Sequence, residues 1–121
     1  MNNFDIDLAF GEIGEQKIED LLSGKYKIEV KTERDKWVST GNIVIEISYK
    51  GRPSGLTATE ADWWIHCLNI NGNFVGALMF PVEELNAIVD KLLARGDARI
   101  TYGGDGNHSE LVLLPLSKIY T

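Results

Sequence analysis

The sequence is short of most features that would announce a compartment or a chemistry directly. It has one cysteine, Cys67, so no internal disulfide can form, and within Trp63-Trp64-Ile65-His66-Cys67-Leu68 that residue reads as a small buried side chain of a core strand. Three prolines and the lack of any repeated or low-complexity stretch exclude a collagen-like or disordered chain. The longest apolar run, Val75 to Phe80, falls far below the roughly 20 residues of a membrane span. Met1 to Asp5 has neither the basic segment nor the apolar stretch of a secretory signal. A cytoplasmic protein with no membrane partner is therefore expected. Of the two histidines, His66 has no second His or Cys at metal spacing except adjacent Cys67, so it is expected in a core strand and not on zinc. Positive charge is also scarce: 12 Lys and Arg stand against 18 Asp and Glu, and the formal net charge of −6 argues against holding nucleic acid by bulk electrostatics.

What is present is local. Lys25, Lys27, Lys31, Arg34, Lys36, Lys50 and Arg52 crowd into positions 25 to 52, so a basic region exists despite the acidic average. The length predicts one domain over residues 1–121. Apolar residues at helical spacing from Phe10 to Leu22, with a Ser23-Gly24 stop, predict a helix. Tyr26, Ile28 and Val30 alternate with Lys27, Glu29 and Lys31, and Ile43, Ile45, Ile47 and Tyr49 alternate with Val44, Glu46 and Ser48, the two-residue period of strands. With Thr40-Gly41-Asn42 as a turn signal, these two strands are expected to pair as an antiparallel hairpin with a long loop. A short helix opening at Thr57 to Asp62, strands from Trp63 and from Phe74, a helix from Pro81 to a stop at Gly96, and a closing hairpin around Gly103 to Asn107 complete the order. That order predicts an α/β or α+β domain with a largely antiparallel or mixed sheet.

Each of the first two strands carries a carboxylate in its middle. If Glu29 lies opposite Glu46, then Ile28 faces Ile47, Val30 faces Ile45 and Tyr26 faces Tyr49, which makes one face wholly apolar and puts both glutamates and Lys31 on the other. A slip by one residue would bury an acid among isoleucines, whereas a slip by two keeps the faces. Like charges opposed on neighbouring strands destabilise a sheet by ~0.2–1 kcal/mol, and a hard divalent cation such as Mg²⁺ would compensate. Lys31, one alternate position along, could then stabilise charge developing on a phosphate. The same spacing also fits solvated polar residues on the outside of a hairpin.

The Glu29-Val30-Lys31 strand, following an amphipathic helix that carries Gly11-Glu12-Ile13-Gly14-Glu15, resembles the PD-(D/E)xK nuclease superfamily, which includes Holliday-junction resolvases, restriction enzymes and phage recombination nucleases. "IEVKTERD", "TGNIVIEI", "GRPSGLTATEADWW" and "GGDGNHS" together resemble small phage-encoded members of that group. The resemblance implies a restriction-endonuclease-like core, a mixed central sheet flanked by helices, and a Mg²⁺-dependent endonuclease in a host cytoplasm, with Mn²⁺ able to substitute and branched DNA as a substrate. It nominates Glu15, Glu29 and Lys31 for the site. The superfamily's aspartate has no counterpart in a Pro-Asp before Glu29; Asp20 lies at a plausible distance, but helical periodicity through Leu21 and Leu22 leaves Glu46 as the expected second ligand.

Arg34, Lys36, Lys50 and Arg52 are the expected DNA contacts, with Trp37, an aromatic among basic residues, placed to meet a backbone or an unpaired base or else to pack the loop down. Trp63 and Trp64 are expected mainly in the core. A domain this small with one site would cut both strands most readily as a homodimer. The rival expectation is a catalytically silent nuclease fold that binds DNA or a protein partner.

Overall fold

The computed structural model describes residues 3–121. The first helix, α1 (Asn3–Leu22), reaches back beyond the start that apolar periodicity indicated. It stops at the expected place, where Gly24 takes a φ of +84°, a left-handed conformation that costs glycine nothing. In its last turn the Asp20 carboxylate accepts hydrogen bonds from the Gln16 amide and the Lys25 ammonium at 2.9 and 3.1 Å, and these hold its pKa below the usual carboxylate value. Asp20 is thus a helix residue that ties the helix end to the link beyond it.

The remaining elements are β1 (Ile28–Glu33), α2 (Trp37–Thr40), β2 (Asn42–Tyr49), β3 (Arg52–Pro53), β4 (Trp63–Ile70), β5 (Asn73–Pro81), α3 (Val82–Arg95), β6 (Arg99–Gly103) and β7 (Ser109–Pro115). They build a mixed α+β fold with two sheets. One has the order β1-β4-β5, with β1 parallel to β4 and β4 antiparallel to β5. The other, β3-β2-β7-β6, is antiparallel throughout.

The expected hairpin between residues 26–32 and 43–49 does not form. The Lys27 backbone is pinned to the start of β4: its N–H donates to Asp62 Oδ2 at 2.9 Å, and its carbonyl accepts the N–H groups of Asp62 and Trp63 at 2.8 and 3.1 Å. That lays β1 beside β4, with Ile28 level with Trp63 and Lys31 level with His66. The chain then leaves the sheet through α2, closed by Gly41 at φ +73°, and the Gly41 carbonyl accepts the Leu116 N–H at 2.8 Å, which starts β2 beside β7. Alternation specified which residues share a face, and left open which strand lies next door. The isoleucines of β2 find apolar partners all the same: Ile43 and Ile45 are fully buried against Leu114 and Val112.

The core lies where Ile43, Ile45, Val112 and Leu114 meet Trp64, Phe80 and the inner side of α3, from which Leu85, Ile88, Val89 and Leu92 project. Helix α3 follows its sequence signals, with Glu83 and Glu84 in the first turn and Gly96 at φ +78° after the last. The β4–β5 turn puts Asn71 and Gly72 both at positive φ, which matches the twist of a two-residue hairpin. The helix expected to open at Thr57 is instead a single 3₁₀ turn, Gly55–Thr57, capped reciprocally by Ser54 and Thr57. The Thr57 hydroxyl also donates to the Ile47 carbonyl, so the turn is stapled to β2 and the chain beyond Ala58 is not helical.

That staple brings Gly55 against β2. A Cβ there would lie 2.2 Å from the Glu46 carbonyl oxygen, at a φ of +55°. Gly55→Ala is therefore expected to cost roughly 2–4 kcal/mol in chemical denaturation. Gly24→Ala, with open space around the added carbon, should cost only about 1–2 kcal/mol of backbone strain. Equal losses at the two positions would refute the close approach.

Candidate functional site at the seam between the sheets

Register partners in a sheet share a face, so Glu29, Lys31 and Glu33 lie on the same side as Trp64, His66 and Leu68. This is the inner side, because Trp64 belongs to the core and Leu68 packs on it. Strand β1 thus inverts the expected arrangement. Its apolar residues Ile28 and Val30 are 38% and 55% exposed, while Glu33 is only 9% exposed.

Glu33 is buried because it has partners from both sheets. Its Oε1 accepts the backbone N–H of Val44 and the Nε2 of His66, the latter at 2.9 Å. The Val44 N–H lies on β2 outside the stretch that β3 covers, since β3 pairs only with Ser48 and Tyr49, and a carboxylate completes the edge there. On the far side of the imidazole, the Trp64 indole N–H donates to His66 Nδ1 at 3.1 Å. An indole N–H can only donate, so Nδ1 accepts and the imidazole proton sits on Nε2, directed at Glu33. His66 is a core-strand histidine, 2% exposed, and the series Trp64, His66, Glu33, Val44 joins the first sheet to the second.

This contact brings the end of β1 to β2 without pairing the two strands, which stay in different sheets. Lys31, two residues before Glu33, and Glu46, two residues after Val44, line one cavity of about 260 Å³ together with Thr32, Trp64, His66 and Leu111. The Lys31 ammonium lies 5.9 Å from the centroid of the Trp64 ring and makes no ion pair among the described residues. Glu46 is half-buried, and its Oε2 accepts the Ser54 hydroxyl at 3.0 Å. The register of β2 against β7 shifts between Glu46 and Ser48, a bulge of the kind that re-aims a neighbouring side chain.

The other expected site residues are spread more widely. Glu29 is half-buried at the beginning of the same face, level with Trp64 and not opposite Glu46. Glu15 is exposed on α1. Among the described residues no three His, Cys, Asp or Glu side chains converge on a metal position, so Glu15, Glu29 and Glu46 do not form a protein cage. The donor set at the cavity suits a smaller demand: Mg²⁺ is commonly held by one or two carboxylates, with water and substrate phosphate completing its shell, and Glu46 supplies such a carboxylate.

A second cavity of about 260 Å³ lies on the other side of Glu33, lined by Lys36, Trp37, Asn42, Val44, Arg99 and Leu113 among others. Trp37 is tied down, its indole N–H donating to the Asn69 carbonyl at 2.7 Å, so it packs the loop onto the end of β4. Arg34 and Lys36 are exposed beside it. Lys50, at φ +51°, and Arg52 are exposed at the opposite end of β2, with the Lys50 ammonium 5.5 Å from the Tyr49 ring centroid.

Sequence reasoning missed Glu33, Ser54 and Arg99. Glu33 had a signal, since it continues the alternation of Glu29 and Lys31. Ser54 and Arg99 had none, because they reach the seam only through the 3₁₀ turn and the β6–β7 pairing. Comparison with known protein families, with curated proteins and with solved structures finds no match to this chain.

Removing the Glu33 carboxylate would leave the Val44 N–H and His66 Nε2–H without a partner in a buried setting. Glu33→Ala is expected to lower stability by about 2–5 kcal/mol, and Glu33→Gln by less, because an amide oxygen still accepts. Urea denaturation of the two variants checks this; a Glu33→Ala protein as stable as the parent would show that the seam is held by other contacts.

Proposed function

We propose that the chain is a metal-dependent endonuclease that hydrolyses phosphodiester bonds in DNA, on a restriction-endonuclease-like core. The observation that carries this reading is that Lys31 and Glu46, drawn from different sheets, line one cavity beside a buried hydrogen-bond network. The resemblance of the Glu29-Val30-Lys31 strand to the PD-(D/E)xK motif supports it, with Glu46 taking the part for which Asp20, a helix residue, is badly placed. Lys31, a solvent-exposed side chain, would donate to the phosphate oxygen on which negative charge grows in the transition state. Glu46, oriented by Ser54, would hold Mg²⁺ together with the scissile phosphate. The metal would supply a water acidic enough to be deprotonated near neutral pH and a counter-charge for the leaving oxygen. Trp64 and His66 form a fixed wall, so neither Lys31 nor a phosphate beside it would have to order the site on binding. Lys36 and Arg99, with Arg34 nearby, and Lys50 and Arg52 at the far end of β2, would bear the flanking phosphates. These two basic groups, one at each end of β2, would give an acidic chain local positive charge with which to hold DNA.

The rival reading, a silent nuclease fold that binds without cutting, draws on the dispersal of Glu15, Glu29 and Glu46. One experiment separates the two. Purified protein is incubated with supercoiled, single-stranded and four-way-junction DNA in Mg²⁺, Mn²⁺ or EDTA, beside Lys31→Ala and Glu46→Gln. Cleavage that needs the metal and falls about 100-fold or more in both variants is expected. Absent cleavage, cleavage in EDTA, or activity indifferent to both substitutions would sink the endonuclease; DNA binding retained without any cleavage would identify the silent module.

A further inference from the structure

The inverted β1 leaves an apolar sheet face outside. Ile28 and Val30 of β1, Ile65 of β4 and Met79 of β5 share the side of the β1-β4-β5 sheet away from the core. Lys27 stands just before one end of β1, and Arg34 and Lys36 follow the other. Helix α1 offers the counterpart. At 3.6 residues per turn, Ile13, Gly14, Ile18, Leu21 and Leu22 fall on one half of its circumference, with Lys17 among them, and Glu12, Glu15 and Glu19 on the other. Of that apolar half only Leu21 is buried; Ile13, Ile18 and Leu22 are 56%, 43% and 79% exposed, and a Cβ added at Gly14 would meet nothing within 4 Å. One chain therefore displays two uncovered apolar surfaces, a helix rimmed by carboxylates and a sheet face flanked by basic residues.

We propose that this protein is a two-fold dimer in which the apolar half of α1 from each copy packs on the outer face of the partner's β1-β4-β5 sheet. The exposed parts of Ile13, Ile18, Leu22, Tyr26, Ile28 and Val30 alone amount to roughly 600 Å², close to the ~800 Å² that each partner contributes to a standard stable interface. Ile65 and Met79, half-exposed on the same sheet face, add to it. The charges agree with the pairing, since the acidic edge of α1 would meet Lys27 and Arg34 of the partner. A two-fold axis makes each contact occur twice, so the surfaces need only be complementary to each other and not to themselves. The proposal does not depend on the catalytic reading, because none of these side chains lines the Lys31–Glu46 cavity.

Analytical ultracentrifugation of the full chain at about 100 µM, a concentration that populates any complex of micromolar strength, tests the dimer. The expected mass is twice the 13.5 kDa of one chain. Val30→Glu on the sheet and Ile18→Glu on the helix should each return it to 13.5 kDa, with the circular dichroism of the core unchanged. A parent protein that sediments as a monomer overturns the proposal, including one that co-sediments with phosphatidylglycerol vesicles and so assigns the face to a lipid surface. A dimer that survives either substitution overturns it as well, since both surfaces are required.

Discussion

The structure depends on one carboxylate that sits between two sheets. Glu33 takes a hydrogen bond from a backbone N–H of one sheet and from an imidazole of the other, through the same oxygen. Desolvating a carboxylate is costly, and the cost is offset only where strong donors are fixed in place beforehand. Both donors here meet that condition. Val44 is held by the β2–β7 ladder, and His66 is held in a core strand with its other nitrogen engaged by Trp64. The carboxylate in return satisfies a strand edge that no neighbouring strand reaches, which a methyl or an amide donor could not do. The Lys31–Glu46 cavity lies beside this contact, with Lys31 two positions from Glu33 along β1 and Glu46 two positions from Val44 along β2.

A second consequence is the orientation of β1. With Glu33 drawn inward, period-two geometry puts Glu29 and Lys31 on the same face, Glu29 half-buried and Lys31 still exposed, and turns Ile28 and Val30 to the other face. Polar residues inside and apolar residues outside reverse the usual preference of a sheet with one solvated face. Within one chain the reversal leaves apolar surface in water. It is tolerable if that surface is covered by something else, the part proposed above for α1 of a second copy.

Much of the architecture could be read from the sequence. The stops at Gly24 and Gly96 and the β6–β7 hairpin are local matters of backbone conformation, and local chemistry announced them. The strand partner of β1 was not local. It is decided by Asp62, which grips the Lys27 backbone from 35 positions away, and no periodicity encodes such a grip. The parity argument correctly grouped Glu29 with Lys31 on one face of β1, but it expected the apolar residues of that strand to face the core and β2 to lie beside it, whereas β1 pairs with β4 and Ile28 and Val30 are exposed. The threonine at 57 misled because its hydroxyl caps a single turn and reaches β2, where a helix start had been the simpler reading.

The parallel pairing of β1 with β4 bears on the order of assembly. The β4–β5 and β6–β7 hairpins join segments separated by a few residues, and such closures take microseconds. Strand β1 must wait for a partner some 35 residues downstream, and parallel pairings that close long loops are slow. The cavity exists only once β1 has docked and Glu33 has met Val44. The catalytic candidates would thus be brought together in the last stage of folding, and pulsed hydrogen exchange would register it as late protection of the Val44 amide relative to those of the β6–β7 hairpin.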